Sequence, residues 1–227
     1  MCKIYKMYFF FLLTATFSVL HAIEIPKPIQ DWVTVAANCR SMDMQIKSTT
    51  FPSINSKEPA VLTNMHYIKS DLFVKIVMDT LDIIQSSDVY LKIDKKNKII
   101  YKNKITAQDR VLLKTTTSVE SILQMLNMYD TVFVSAHSNT SSVYTFSGKN
   151  IPFYSKCELE IEDKTQLTKR CTFYYTDQTY YEKTEIFYEK ISYDVPIPKN
   201  IIALENYIDL KKNKGERDYK QYNVIEN

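Results

Sequence analysis

The sequence predicts a mainly β (α+β) protein in which a single curved antiparallel sheet forms an incomplete barrel over one or two helices. From Ser41 onward, several segments have apolar residues at every second position, which is typical of half-buried strands. Only two segments, one near the N-terminus and one in mid-chain, have apolar residues at helical spacing. Most links between predicted strands are too short for parallel crossovers, which favours antiparallel pairing.

The first 22 residues have the layout of a secretory signal peptide. Lys3 and Lys6 precede an apolar run from Met7 to Leu20, and Ala22 supplies a small residue at the expected cleavage site. We therefore expect residues 1–22 to be removed and the mature chain to be exported to the periplasm. No later segment approaches the roughly 20 apolar residues that a membrane-spanning helix needs, so we expect no integral span in the mature chain.

The composition argues against several classes of partner. The 227-residue chain has 29 Lys and Arg against 26 Asp and Glu, and two of the lysines lie in the predicted signal peptide. The nearly neutral remainder gives no reason to expect nucleic acid as a partner. Gly148 and Gly215 are the only glycines, which argues against a loop that wraps phosphate groups. We expect no cofactor.

Two helices are predicted. The first follows Pro26 and Pro28, and its apolar positions repeat at i, i+3, i+4 and i+7: Ile29, Trp32, Val33 and Ala36. The second begins at a capping-box spacing between Thr117 and Glu120. Its apolar residues fall on one face: Val119, Ile122, Leu123 and Leu126.

The remaining regular segments are predicted strands within one domain, residues 23–208. A hairpin is expected from strands 89–94 and 99–104 around a Lys/Asn turn. The other predicted strands are 72–78, 131–136, 142–146, 157–161, 171–176 and 182–188. Residues 209–227 are rich in Lys, Asn, Asp and Glu with few apolar residues, which predicts a polar flexible tail.

Two of the three cysteines in the mature chain flank a polar turn. Cys157 and Cys171 are equidistant from Lys164, so a simple hairpin would place them opposite each other, close enough for a disulfide. An exported location permits that bond. The alternative is a pair of reduced, half-buried thiols, because the strand register cannot be determined from sequence. Cys39 is expected to be buried and unpaired.

The order of elements resembles the lipoprotein-carrier (LolA/LolB-like) superfamily of periplasmic proteins. The residues that carry the resemblance are Ser87–Asp94 followed by Asn97–Ile100, the segment Thr117–Leu126, and Leu159–Lys169 followed by Phe173–Tyr175. The similarity covers most of residues 25–208 as a pattern of elements. It implies an exported protein that begins with a helix and folds an incomplete antiparallel barrel over helices that plug an apolar cavity.

We predict that apolar side chains line the concave face of this sheet. The best candidates are Leu72, Val74, Ile76 and Met78 on one strand, with Leu123 and Leu126 on the mid-chain helix. Such a lining could hold an acyl chain, since ligand pockets are mostly apolar. The alternative is that these residues simply form the core.

The signal peptide, the strand pattern and the inserted helix together favour a non-enzymatic protein that binds a lipid or an acylated protein, with a role in envelope lipid or lipoprotein trafficking. The alternative is a structural or protein-interaction component of an envelope assembly, with the same fold and a filled core, that pairs through an exposed strand edge. No catalytic residue is expected, because no acid is identified to orient the histidine near Ser135. No metal is expected, because His66 and His137 lack ligands at zinc spacing.

Overall fold

The computed structural model describes residues 24–109, 126, 128–148 and 153–226. The predicted signal peptide and all but Leu126 of the predicted mid-chain helix lie outside the described residues. Within the described part, the chain forms one 12-stranded sheet, a separate two-stranded sheet and a few short helices. No helix of this part is long and apolar enough to cross a membrane.

Helix α1 (Lys27–Asn38) opens the described chain, and α2 (Lys199–Ile202) follows the long strands. The strands are β1 (Ser41–Phe51), β2 (Val61–Ser70), β3 (Phe73–Val77), β4 (Leu81–Gln85), β5 (Val89–Asp94), β6 (Ile99–Lys104), β7 (Thr131–His137), β8 (Ser141–Ser147), β9 (Tyr154–Glu162), β10 (Thr168–Tyr175), β11 (Lys183–Tyr193), β12 (Ile208–Asp209), β13 (Lys214–Gly215) and β14 (Asn223–Glu226). Two 3-10 turns, Leu204–Asn206 and Arg217–Tyr219, separate the C-terminal strands.

The large sheet has the strand order β14-β6-β5-β4-β3-β2-β1-β11-β10-β9-β8-β7. Its neighbours pair antiparallel, apart from β14, which runs parallel to β6. The prediction of a mainly β protein built on one largely antiparallel sheet is therefore confirmed. In the described part of the chain this sheet is open, with β14 at one edge and β7 at the other.

Helix α1 covers one face of the sheet at the β7–β11 end. Pro26 caps the helix and Pro28 lies in its first turn, where a missing backbone N–H costs no helical hydrogen bond. The helix buries Ile29 and Val33 completely, at 0% and 1% exposure. They pack on side chains from β8, β9 and β10, including Phe146, Leu159 and Cys171. We call this side of the sheet the helix face and this group the helix cluster.

The C-terminal segment covers the opposite face at the β3–β6 end. Tyr207 and Ile208 pack in a second cluster with Phe73, Ile84, Leu91, Ile93 and Ile100. Residues directly opposite one another in paired strands point to the same side, and tracing them from β11 to β6 puts this cluster on the side away from α1. We call residues 199–226 the strap and this side the strap face.

The prediction of a flexible tail at residues 209–227 is wrong, because the strap continues through this segment. Tyr219, Tyr222 and Val224 pack against the second cluster, and the Tyr219 hydroxyl donates a hydrogen bond to Asp82 Oδ2 at 3.0 Å. Strand β14 then adds to the sheet beside β6. A few spaced apolar residues are enough here, because the strap face offers them a large apolar surface to bury against.

Candidate ligand-binding surface

An apolar row crosses the helix face on strands β11, β1, β2, β3 and β4. Each residue lies directly opposite the next in the strand register: Ile191, Met44, Tyr67, Ile76 and Ile83. All five side chains are half-buried, whereas the same strands bury Phe73 and Ile84 on the strap face. We call these five residues the apolar row.

Three predicted lining residues lie on this face. Ile76 is in the apolar row itself, and Val74 and Met78 are two residues away on either side of it, so all three share one face. All three are half-buried. Sequence reasoning missed Met44, Tyr67 and Ile83, because it could not determine which strands neighbour β3.

The other three predicted lining residues are not found on this surface in the described part of the chain. Leu72 is 59% exposed in the turn before β3, so its assignment to the lining is wrong. The reason is local: Asp71 has a positive φ of 48° that ends β2, and the strand begins one residue after Leu72. Leu126 is buried in the helix cluster, as part of a filled core and not of an open lining. Leu123 lies outside the described residues.

Polar groups near the apolar row are few and mostly engaged. The Lys69 Nζ donates to the Cys39 carbonyl oxygen at 3.0 Å. Lys92 lies opposite Ile83, and its Nζ is 5.5 Å from the centre of the Tyr101 ring. Burial raises the pKa of Tyr67 to about 12, because its phenolate would be poorly solvated at this position. The surface therefore suits an apolar ligand.

A cleft of about 480 Å³ adjoins the row where β3 ends and β2 continues past it. Its apolar wall is formed by Ile46, Met65 and Met78, and its polar wall includes His66 and Lys95. The His66 Nε2 lies 2.7 Å from Asp43 Oδ1, and the Lys95 Nζ bonds the Met78 carbonyl and lies 2.9 Å from Asp82 Oδ1. The cleft is shallow and open, and these polar side chains lie on the strap face, away from the apolar row.

The predicted register of the two cysteines is wrong by two residues. Cys157 lies opposite Phe173, and Cys171 lies opposite Leu159. The four-residue turn 163–166 accounts for one residue of this shift, and an irregularity between Thr168 and Arg170 accounts for the second. The structure holds Cys39, Cys157 and Cys171 as free, buried thiols. Hydrogen bonding to Cys171 and burial raise the pKa of the Cys157 thiol well above its usual value.

A serine, a histidine and an aspartate do meet on β8, but not in the order that hydrolysis requires. The His137 Nδ1 lies 2.7 Å from the Ser142 Oγ, which donates to Asp163 Oδ1 at 2.8 Å. The serine is thus between the other two groups, whereas a hydrolase places the histidine in the middle. Ser142 is also only 6% exposed. These contacts tie β8 to the β9–β10 turn.

No family model matches the chain, and no curated protein matches it. Several solved structures align with most of this chain. A conserved protein from Thermus thermophilus aligns with a TM-score of 0.49 and 4% identity, over 88% of this chain and 100% of its own. The lipoprotein LppX of Mycobacterium tuberculosis aligns with a TM-score of 0.43 and 8% identity, over 75% of this chain and 95% of its own. A LolA superfamily protein of Nitrosomonas europaea aligns with a TM-score of 0.31 and 10% identity, over 77% of this chain and 96% of its own.

The solved structures that align with this chain include a LolA superfamily protein, but with TM-scores below 0.5 the resemblance to that superfamily stays a prediction. At such low identities the likeness concerns the arrangement of strands and says nothing of the ligand. What this chain binds has to be argued from its own surface.

Proposed function

We propose that this protein is a non-enzymatic, exported binding protein that holds an acyl chain of a lipid or lipoprotein on its helix face. The observation that carries the proposal is the apolar row. Five half-buried apolar side chains lie side by side on the face that α1 occupies further along the sheet. In this proposal the sheet curves around the ligand as an incomplete barrel, and the protein serves lipid or lipoprotein trafficking in the periplasm.

The dimensions of the apolar row suit an acyl chain. Neighbouring strands are about 4.8 Å apart, so a row over five strands spans about 19 Å, comparable to an extended fatty acyl chain. Each methylene removed from water contributes about 0.8 kcal/mol to binding. The cleft beside Met78 extends the apolar surface, since Ile46, Met65 and Met78 lie on the same face of the sheet as the apolar row.

A charge placed in the apolar row tests this proposal. We expect Ile76→Asp to weaken binding of a fluorescent fatty acid by about tenfold or more, because the acyl chain would have to desolvate a carboxylate. The matched control is Leu72→Asp. It introduces the same charge four residues earlier in the chain, at a side chain that is 59% exposed and outside the row, and it should bind as the wild type does.

Native mass spectrometry of protein exported from its expression host gives a second measurement. Lipid-bound species are expected for the wild type and for Leu72→Asp, and lipid-free protein for Ile76→Asp. Circular dichroism checks that each variant is folded, and Ile83→Asp repeats the test on the next strand. Wild-type protein that is lipid-free and does not bind the fluorescent probe contradicts the proposal.

The alternative function is a component of an envelope assembly that pairs through a strand edge. The exposed apolar residues of the edge strand β7, Phe133 and Val134, favour it. Purification of the tagged protein from envelope extract separates the two functions. A lipid carrier retains lipid, whereas an assembly component retains a partner protein.

A further inference from the structure

Strand β7 is an edge strand with apolar side chains exposed on both faces. It pairs with β8 on one side, and no other described strand pairs with its second side. Phe133 is 52% exposed and Val134 is 53% exposed. Because successive residues of a strand point to opposite faces, one of these side chains lies on the helix face and the other on the strap face.

This edge has no charged or proline residue to prevent pairing with another strand. Residues Thr131–His137 contain no Lys, Arg, Asp, Glu or Pro, which are residues that commonly protect edge strands. The opposite edge is different. Strand β14 has only four residues, and its Glu226 lies 3.1 Å from the Lys102 Nζ of β6. The two edges are therefore not equivalent, and β7 is the one suited to pairing.

An irregularity at Ser135 limits how much of β7 can pair. The register with β8 shifts between Val134 and Ala136. Ser135 is held there by its own Oγ, which donates to the Val143 carbonyl at 3.3 Å and accepts from the Thr145 Oγ1 at 2.8 Å. Bulges twist an edge strand away from a flat partner. The regular part available for pairing is therefore 131–134, which includes both exposed apolar side chains.

We propose that two copies of this chain associate through β7, antiparallel, so that their sheets join into one. A second copy fits because the strand carries no charge to repel its own image. In an antiparallel pair centred on Phe133, the two Phe133 side chains meet on the strap face, and each Val134 meets Val132 of the other copy on the helix face. Head-to-tail association is disfavoured, since β14 is short and charged. Three paired residues, 132–134, bury less than a standard interface of about 1,600 Å², so the dimer is weak and reversible. This proposal does not depend on lipid binding.

Analytical ultracentrifugation of the full chain tests the proposal. We expect the mass of the wild type to rise from monomer to dimer as protein concentration increases, and to stop at the dimer. Val134→Lys should remain monomeric over the same range, because each added charge would have to lie against the apolar Val132 of the other copy. Leu72→Lys adds the same charge at an exposed turn away from the edge and should dimerise as the wild type does.

Three results would overturn the proposal: a wild type that is monomeric throughout, a folded Val134→Lys that still dimerises, or association that continues into larger assemblies. If Val134→Lys does not fold, Phe133→Lys places the charge on the other face of the same edge. Hydrogen exchange of the wild type gives an answer independent of any variant. Amides in 131–134 should become more protected at high protein concentration, and unchanged exchange there would also overturn the proposal.

Discussion

Tyr67 is the member of the apolar row whose ionisation bears on the stability of the fold. It lies in the middle of the apolar row, and burial raises the pKa of its phenol to about 12. The negative charge of its phenolate is therefore unfavourable at that position. This burial therefore makes the stability of the fold sensitive to alkaline pH.

We predict that Tyr67→Phe reduces the loss of stability at alkaline pH. An unfolded tyrosine releases its proton near pH 10, and folded Tyr67 does so near pH 12. The contribution of Tyr67 to the free energy of unfolding is therefore fully present below about pH 10. It falls as the pH rises to about 12, because the unfolded state binds fewer protons there. The loss that Tyr67 contributes is about 3 kcal/mol at most.

Urea unfolding of wild type and variant at several alkaline pH values measures this contribution. The difference in unfolding free energy between the two proteins should shrink or change sign as the pH passes from about 10 to about 12. Tyr180→Phe is the control, since Tyr180 is 74% exposed and should leave the pH dependence unchanged. Parallel curves for wild type and Tyr67→Phe would contradict the prediction.

At the residue scale, the alternation of apolar residues predicted which side chains of β3 share a face, but not which strands lie beside β3. Val74, Ile76 and Met78 share one face because alternation is a property of any strand. The prediction for Leu72 was wrong because the start of the strand depends on the backbone at Asp71, which the sequence pattern does not show. The pairing of the two cysteines was predicted wrongly, because the length of the turn and one irregularity in the ladder each shift the register by one residue.

At the element scale, α1 depends on the contacts of its buried stripe. Ile29 is 0% exposed in the helix cluster. We predict that Ile29→Ala lowers the free energy of unfolding by about 2–5 kcal/mol, through lost burial and the cavity left behind. Val35→Ala, on the exposed side of the same helix, should change it by no more than about 0.5 kcal/mol. Denaturant unfolding measures both, and equal losses would show that the stripe does not anchor the helix.

The elements that were predicted well are those with a strong local pattern. Helix α1 and the hairpin of β5 and β6 lie where the sequence placed them, because helical spacing and a polar turn are visible over a few residues. Strand β2 has mixed polarity, with Asn64 and His66 among its apolar residues, and was not delimited. Its place is determined by its two neighbours, β1 and β3, and not by its own composition.

Across the whole molecule, two cores lie on opposite faces of one sheet. The helix cluster is at the β7–β11 end, and the strap covers the β3–β6 end. Asp82 joins the strap to the sheet, since it is only 3% exposed and accepts a hydrogen bond from Tyr219. This arrangement predicts that each half can loosen without the other.

We predict that Tyr219→Phe increases amide hydrogen exchange in β3–β6 and leaves exchange in β8–β10 close to that of the wild type. The lost hydrogen bond leaves a buried carboxylate less well satisfied, at a cost of about 1–3 kcal/mol. Ile29→Ala should have the reverse effect, with faster exchange in β8–β10. Native-state exchange measured by mass spectrometry compares the two variants. Equal acceleration everywhere in both would show a single cooperative unit.

The order of the strands across the sheet was beyond prediction from local patterns. The strap has few apolar residues, and their role depends on a surface built by residues far away in the chain. The same holds for the apolar row, whose members come from five strands that the sequence does not connect. Periodicity shows which way a side chain faces but not which strand lies beside it.

Because β1 pairs with β11, the two halves of the sheet are joined late in folding. Thr50 and Thr184 are 134 positions apart in the chain, yet their hydroxyls meet at 2.8 Å across this pair. The strands β1 to β6 follow one another as neighbours and can assemble from local hairpins, whereas this seam must wait for the distant strand. Until then β1 presents an open edge of 11 residues. A newly made chain is therefore most vulnerable to aggregation before its last long strand arrives.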